Sequence, residues 1–491
     1  MANLTVFRDG TKYTLPFEPP MELERALEEL KLHFPHPCGG AGKCGKCAVR
    51  LAGAVSPATP AEDRAGIRLS CQTTLLGDAS VWLPDSTSME QIQLSAAATG
   101  SDPMAGRLAA AVDIGTTTLA LSLYSLSDGT LLAQTAAINP QTAVAADVIG
   151  RIKAALEGEL SHLSGMVRDA IAGLLKKACT QAHVPEDQVD VMVITGNTTM
   201  LYLLTDRDPV SLSAAPFRAD TLFGTEMQLL GRRVYLPACM NAFVGADITC
   251  AVLASGMCNR AETALLCDIG TNGELALWKN GRLYVTSTAA GPAFEGAGIR
   301  CGCGSIRGAV DKAWVEGGKL KIHTIGDATP TGICGSGLVD LIAAALELEI
   351  IDETGAMEED LPLGGGVELV QGDIRAVQMA KAAIAAGIDT MLDHAGVTPE
   401  EITRLYIAGG FGSHLNIASA AAIGLIPDTL QDRVSVIGNG ALAGASQMLL
   451  DKLSLEAAAI ITETSVHVNL GGNPAFNERY IEHMFYPEQD F

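Results

Sequence analysis

Cys38, Cys44, Cys47 and Cys71 are spaced C-x5-C-x2-C-x23-C, with Gly39, Gly40, Gly42 and Gly45 packed among the first three. Four thiolates in such a run can converge on two irons and two sulfides, a 2Fe-2S cluster, and the first loop must then wrap closely around the sulfides. Glycine permits that wrap, because it allows positive φ and lets backbone N–H groups point at the negative cluster. The alternatives are four unrelated buried cysteines or a zinc site with a single C-x2-C pair; a glycine-dense loop inside a small α+β module does not suit a zinc ribbon. Lys43, Lys46 and Arg50 lie on or beside the loop, as a solvated rim or as a docking patch for an acidic electron donor. The other cysteines, Cys301-Gly-Cys303 and Cys334 among them, form no second four-ligand set and read as structural. No H-x3-H or H-E-x-x-H array supports a histidine metal site.

A different chemistry is written in two similar turns. Ala111-Val-Asp113-Ile-Gly115-Thr116-Thr117-Thr118 leads from one apolar strand into another, and Leu266-Cys-Asp268-Ile-Gly270-Thr271-Asn272-Gly273 repeats it in outline. Amides and threonine hydroxyls of such a turn can cradle phosphates, while the carboxylate at the strand end can hold hydrated Mg2+. Two of them facing across a cleft clamp a nucleotide tail. A third segment, Tyr406-Ile-Ala-Gly409-Gly410-Phe-Gly412, runs from a strand into a glycine turn with room for an adenosine ring or ribose. No P-loop sequence is present. Thr195-Gly-Asn197-Thr-Thr199 is either a further cleft segment or an Asn cap before a helix, and Gly335-Ser-Gly337 introduces an apolar helix.

These residues need elements to hold them. Over residues 1–85, strand-like stretches at Leu4–Phe7, Lys12–Leu15, Ala48–Leu51 and Val81–Leu83 surround one helix, about Met21–Leu32, with Leu23, Leu27 and Leu30 on one face. Residues 86–107 lack periodicity and form a linker. From 108 to 491, apolar strands alternate with amphipathic helices, one carrying Leu163, Val167, Ile171 and Leu174, another Met379, Ala383 and Ala386. The repeated turn implies two half-domains, about 108–260 and 261–491.

The cysteine loop resembles that of the 2Fe-2S ferredoxins of the β-grasp fold, although the first gap is one residue longer than the plant-type C-x4-C-x2-C and the last gap is short. The nucleotide segments resemble the phosphate-1, phosphate-2 and adenosine motifs of the superfamily containing acetate and sugar kinases, Hsp70 and actin. By that resemblance Asp113 and Asp268 position Mg2+ or the hydrolytic water. Backbone of Gly115, Thr116, Thr117, Gly270, Thr271 and Asn272 binds the phosphates of ATP, and Gly409 and Gly410 bind its adenosine. The implied fold is an α+β ferredoxin-like β-grasp domain followed by a two-lobed α/β actin-like ATPase domain with duplicated RNase H-like halves.

The whole chain resembles the reductive activators of corrinoid proteins, on these motifs together with Asn139-Pro-Gln141, Thr195–Thr198, Asp268–Glu274 and Ala408–Gly412. That resemblance implies an ATPase that passes an electron from its cluster to the Co(II) corrinoid of a methyltransferase's corrinoid protein, restoring Co(I). It also implies a low-potential electron donor and a homodimer. Plant-type clusters sit near about −400 mV, and the family's chemistry implies that corrinoid Co(II) is harder to reduce, so the transfer is uphill. ATP and differential binding of the partner must then be coupled to it. Against larger members, the short linker leaves no room for an extra middle domain, and the tail after Gly472 lacks cysteines for a second cluster. The rival readings are a small-molecule kinase of the same superfamily with a redox-sensing ferredoxin domain, and a non-catalytic ATP-gated binding module.

Composition narrows the partners. With 491 residues, 48% hydrophobic and 18% charged, the chain buries substantial cores. Its 33 basic and 56 acidic residues leave a formal charge of −23, which repels nucleic acid and anionic membrane surfaces. The longest apolar stretch, Leu338–Ile351, is broken by Asp340, Glu347 and Glu349, too charged for a spanning helix. Residues 1–10 lack the basic-then-apolar pattern of a secretory signal, and twelve cysteines suit a reducing compartment, so a cytoplasmic protein is expected.

Overall fold

The computed structural model describes residues 2–8, 11–30, 32, 47–59, 62, 68–83, 100 and 102–488. In the N-terminal module, β1 (Ala2–Arg8), β2 (Thr11–Phe17), β3 (Ala48–Val55) and β4 (Thr74–Trp82) form a mixed sheet ordered β2-β1-β4-β3, with α1 (Leu23–Glu29) against it. β1 pairs antiparallel with β2 through Leu4 and Leu15, and parallel with β4 through Val6 and Val81. Alternation in β1 sends Leu4 and Val6 into a core completed by Leu23, Leu27, Leu75 and Val81. The helix is shorter than Met21–Leu32, because Met21 and Glu22 are drawn into a ladder with Leu75 and Thr74. Leu30 ends up half-buried.

The linker's far end is not free. Met104 is buried and its N–H donates to Leu449 O, Asp102 bridges to Asp451, and Arg107 is paired with Asp190 at 3.0 Å.

Two sheets of like design follow. The first contains β5 (Leu108–Ile114), β6 (Thr118–Ser125), β7 (Leu131–Ile138), β8 (Val189–Gly196), β9 (Thr225–Leu229) and β10 (Arg232–Leu236), ordered β9-β10-β8-β5-β6-β7. In the second, β11 (Ala264–Ile269), β12 (Gly273–Lys279), β13 (Arg282–Thr288), β14 (Arg404–Ala408), β15 (Val434–Gly438) and β16 (Ser465–His467) are ordered β15-β14-β11-β12-β13-β16. Each has a central strand, β5 or β11, that is antiparallel to its hairpin mate and parallel to a strand arriving after a helical crossover. β5 and β11 are apolar almost throughout, as strands covered on both faces must be.

Helix α3 (Leu160–Ala182) covers the outside of the first sheet, burying Leu163, Val167, Ile171 and Leu174. α5 (Gln371–Ala395) covers the second with Ile374, Val377, Ala380, Ile384 and Ile388. Ala383 and Ala386 are on that buried face, but Met379 points to solvent, because the apolar stripe passes through Ala380 and Lys381 instead. Between the sheets lie α4 (Ala246–Ser255) and α6 (Gly440–Leu450), packed on each other in a core that takes Ala109, Ala111 and Val191 from one sheet and Leu266, Ala276 and Tyr406 from the other. Their axes approach closely at Gly444, where a Cβ would lie 2.1 Å from Cys250 O. Alanine there forces apart the helices that join the lobes.

Candidate functional site

Cys47 enters β3 and Cys71 lies in the 3-10 turn Ser70–Gln72; their sulfurs are 3.2 Å apart. Burial, with the Cys71 thiol beside it, pushes the Cys47 thiol up to about 12. Bound iron is what supplies the positive charge that thiolates require in such a place, so this converging sulfur pair fits a cluster. Cys38, Cys44, their glycines and both lysines fall outside the described residues. Arg50 is stacked over Trp82, 5.2 Å from the ring centroid, which engages its guanidinium within the module.

At the C-terminal ends of β5 and β11, Asp113 and Asp268 face each other across the cleft between lobes. Burial raises Asp113 to about 6, opposed by the Asn439 amide that donates to it at 2.9 Å across the lobes. Burial raises Asp268 to about 7, helped by the charges of Asp113 and Glu295. The turns after them differ in detail. Gly115 N–H donates to Thr118 O and Gly270 N–H to Asn272 O, so both amides close their own turns, and the side-chain donors there are Thr116, Thr117, Thr271 and Asn272. Asn272 Nδ2 lies 3.4 Å from Glu274 Oε1.

The strands parallel to β5 and β11 end in equivalent ways. Thr195 is level with Asp113 and Ala408 with Asp268. The glycine that follows each approaches the central strand: a Cβ on Gly196 would meet Ile114 O at 2.8 Å, and one on Gly409 would meet Asp268 Oδ1 at 2.7 Å and Ile269 O at 3.0 Å. Gly409 also has φ +89°, so only glycine fits. Gly410 is exposed, with nothing within 4 Å of a Cβ position. The Thr195 segment is thus the first lobe's counterpart of the adenosine motif, and Asn197 serves both roles open to it. It caps its helix by accepting from Met200 N, and its Nδ2 is 3.4 Å from Thr116 Oγ1.

Several residues of the cleft lie outside the sequence motifs, Asp247, Arg151 and Asn439 among them, while Glu274 and Asn139 stand within motifs but carried no assigned role. Asp247, in the first turn of α4, is raised to about 8 by burial and by the charges of Asp113 and Asp268. Glu274 is paired directly opposite Asp268 and is held well above the ordinary range by burial and then by Asp247; the position opposite Asp113 is Ala120. Asp113, Asp247, Asp268 and Glu274, drawn from two lobes, are thus coupled through their charges, although no three of the metal-ligating side chains among the described residues are grouped to hold a metal ion directly. Behind the first turn, Arg151 is completely buried on α2 (Val148–Ala154), its pKa lowered by burial to about 10. It donates to Thr116 O at 2.6 Å, Gln141 Oε1 at 3.2 Å and Ala145 O at 3.0 Å. Asn139 Nδ2 donates to Gly115 O at 2.9 Å, so Asn139-Pro-Gln141 acts as a bracket under the turn. The available signals were an Asp opening a helix after glycine and an Asn-Gly pair before α6, both ordinary helix starts.

Cys303 and Cys301 sit on either side of Ile333 in a backbone bridge, and Cys334 packs against Val310 O and Ser336; these are structural contacts.

Fold and cleft together define a ferredoxin-type module fused to an ATPase fold of the actin and sugar-kinase kind. Residues 6–76 match the 2Fe-2S iron-sulfur cluster binding domain, 108–260 the RACo middle region, and 262–491 the C-terminal domain of RACo, the ASKHA domain. The corrinoid activation enzyme RamQ of Eubacterium limosum is 33% identical over 411 residues, 76% of this chain and 69% of that protein. The Co(II) methylated amine-specific corrinoid protein reductase of Methanosarcina barkeri is 24% identical over 380 residues, 69% of this chain and 70% of that one. A solved structure, a reductive activator for corrinoid, iron-sulfur protein, superposes with a TM-score of 0.72 at 26% identity, covering 100% of this chain and 99% of that one. This chain belongs to the RACo family of corrinoid-protein activators. The family's middle region, residues 108–260, coincides with the first lobe. No helix among the described residues is long and apolar enough to cross a membrane.

Proposed function

We propose that this protein is an ATP-dependent reductive activator, which delivers an electron to the Co(II) corrinoid of a methyltransferase's corrinoid protein and restores Co(I). The observation that carries the reading is the pairing, in one chain, of a converging thiol pair on a ferredoxin-type sheet with two phosphate-type turns beside the charge-coupled strand-end carboxylates Asp113 and Asp268. The names of the related proteins supply the substrate class.

In this reading the hydroxyls of Thr117 and Thr271 and the amides of Thr116, Thr117, Thr271 and Asn272 hold the phosphates of ATP, the Gly115 and Gly270 amides being used within their own turns, and the space beside Gly409 and Gly410 takes the adenosine. Asp113 and Asp268 would hold hydrated Mg2+ through its water shell, and its charge would offset the mutual repulsion among Asp113, Asp247, Asp268 and Glu274. Asp268, at the end of its strand, would orient the attacking water. Arg151 and Asn139 keep the first turn in place. The cluster, held by Cys38, Cys44, Cys47 and Cys71, supplies one-electron transfer. Coupling comes from the lobes: α4 and α6 are anchored in both sheets, so a nucleotide that changes the cleft changes the surface offered to the corrinoid protein. A partner bound more tightly in its Co(I)-favouring state is thereby pulled uphill. A low-potential donor reloads the protein, and a homodimer is the assembly we assign to it.

The test mixes anaerobic protein, a low-potential reductant, ATP and a Co(II) corrinoid protein, with Co(I) followed by visible absorption. Reduction that needs ATP, and that Asp268→Ala abolishes while the cluster's absorption persists, supports the activator. Absence of Co(I) together with ATP-dependent phosphorylation of a metabolite supports the kinase reading instead.

A further inference from the structure

Glu295 closes the short turn Ala293–Glu295 and belongs to none of the three nucleotide motifs. Its carboxylate nevertheless joins two of them. Thr117 Oγ1 donates to Glu295 Oε2 at 2.5 Å, and Thr271 Oγ1 donates to Glu295 Oε1 at 2.9 Å. One oxygen therefore serves each lobe, across a sequence separation of 178 residues on the first side. The same turn reaches the third motif: the ring of Phe294 stacks on Phe411 with centroids 5.0 Å apart and planes 16° from parallel. Its base is fastened to the second turn, where Gly291 N–H donates to Thr271 O at 2.9 Å.

A carboxylate and a phosphate ask for the same thing, hydroxyl and amide donors converging on anionic oxygens. Here two hydroxyls that a nucleotide's phosphates would use are both turned onto Glu295. The charge of Glu295 also bears on the space itself, raising Asp268 and Glu274 and opposing loss of the proton from Arg151.

We propose that Glu295 is a built-in phosphate surrogate that ties Thr117 to Thr271 across the cleft, and that the phosphates of an incoming nucleotide displace it. This rests on the ATP reading given above. The displaced carboxylate carries Phe294 with it, so the phosphate side of the site is mechanically linked to Phe411 in the adenosine motif. Glu295 is in this sense a positioning residue. It sets how much of the nucleotide's binding is spent in opening the bridge, and it keeps the lobes in register.

The experiment is calorimetric titration of the full-length protein with a non-hydrolysable ATP analogue and Mg2+, comparing wild type, Glu295→Gln and Glu295→Ala. Removing two hydrogen bonds that compete with the ligand is expected to tighten binding of the alanine variant by roughly tenfold to a hundredfold. The glutamine variant, which has lost the charge and one acceptor oxygen, falls between. A second readout uses the wild type alone: amide hydrogen exchange in residues 291–296 should speed up when the analogue saturates the site. An alanine variant that binds no more tightly than wild type, or exchange in that turn that slows on saturation, overturns the surrogate while leaving the ATP reading intact. Wild-type protein that binds no adenine nucleotide refutes the ATP reading itself.

Discussion

Asp247→Asn tests the carboxylate quartet directly. The side chain sits on the first turn of α4, where its Oδ1 accepts from Ile248 N–H at 2.9 Å, a bond that the oxygen of Asn can keep. What the substitution removes is the charge. In the folded protein the carboxyl is raised from 3.8 to about 8 by burial and by Asp113 and Asp268. Between those two values the unfolded chain has released a proton that the folded protein still holds, so stability falls as pH rises through the window. Its contribution is fully present below 3.8 and fully lost above about 8. At about 1.4 kcal/mol per pH unit the full penalty is about 6 kcal/mol. The site opens to solvent through the cleft, and water there screens part of it, leaving about 3 kcal/mol. In chelator, urea unfolding followed by circular dichroism should show the variant about 3 kcal/mol more stable than wild type at pH 8, with little difference at pH 4. Residual pH dependence remains from Asp113 and Asp268. Adding Mg2+ should stabilise wild type more than the variant, and ATP hydrolysis should fall. If the variant keeps the wild-type slope between pH 5 and 8, the reasoning that places Asp247 among mutually repelling carboxylates is wrong.

Cys71→Ser should remove or reshape the visible absorption and the reduced-state EPR signal; an unaltered spectrum excludes Cys71 as a ligand. Arg151→Met removes the donor to the carbonyls of Thr116 and Ala145, and leaves Gln141 Oε1 with only the Asn139 amide at 3.4 Å. At about 1–3 kcal/mol for each buried group, the loss of several kcal/mol should show in urea unfolding, and a slack first turn should weaken nucleotide binding at least tenfold in calorimetry. Unchanged affinity would show that the turn needs no such support. Lys381 is wholly buried with its Nζ against Phe485 O and over the Tyr486 ring, and burial lowers its pKa from 10.5 to about 7. The unfolded chain then binds more protons from pH 7 to 10.5, so stability rises with pH across that window. Lys381→Met should flatten the rise by a few kcal/mol; a persistent rise in the variant would move its origin elsewhere.

Much of this site could be read before any coordinates. Asp113 and Asp268 stand out because each ends an apolar strand and precedes a small-residue turn, and duplication makes the pattern hard to produce by chance. Leu163, Val167, Ile171 and Leu174 likewise declare a helix face, since periodicity reflects which side is buried. Met379 misled for the same reason: an alanine-rich helix such as α5 has two plausible stripes, and only its neighbours choose between them. Local pairing shortened α1, because Met21 and Glu22 found strand partners more than fifty residues away.

Residue type and spacing therefore carried the expected chemistry: the thiol set, the paired strand-end carboxylates, the glycine turns and the duplicated halves. Tertiary structure alone decided which groups confront one another. Asp247, Glu295, Arg151 and Asn439 have no motif, since a helix-start Asp or a buried Arg looks the same in sequence whether it faces a cleft or a loop. Their roles arise when two lobes close around a shared pair of helices and charges from distant segments occupy one poorly screened space. Coulomb interaction and burial depend on distance through space, and separation along the chain carries no record of it.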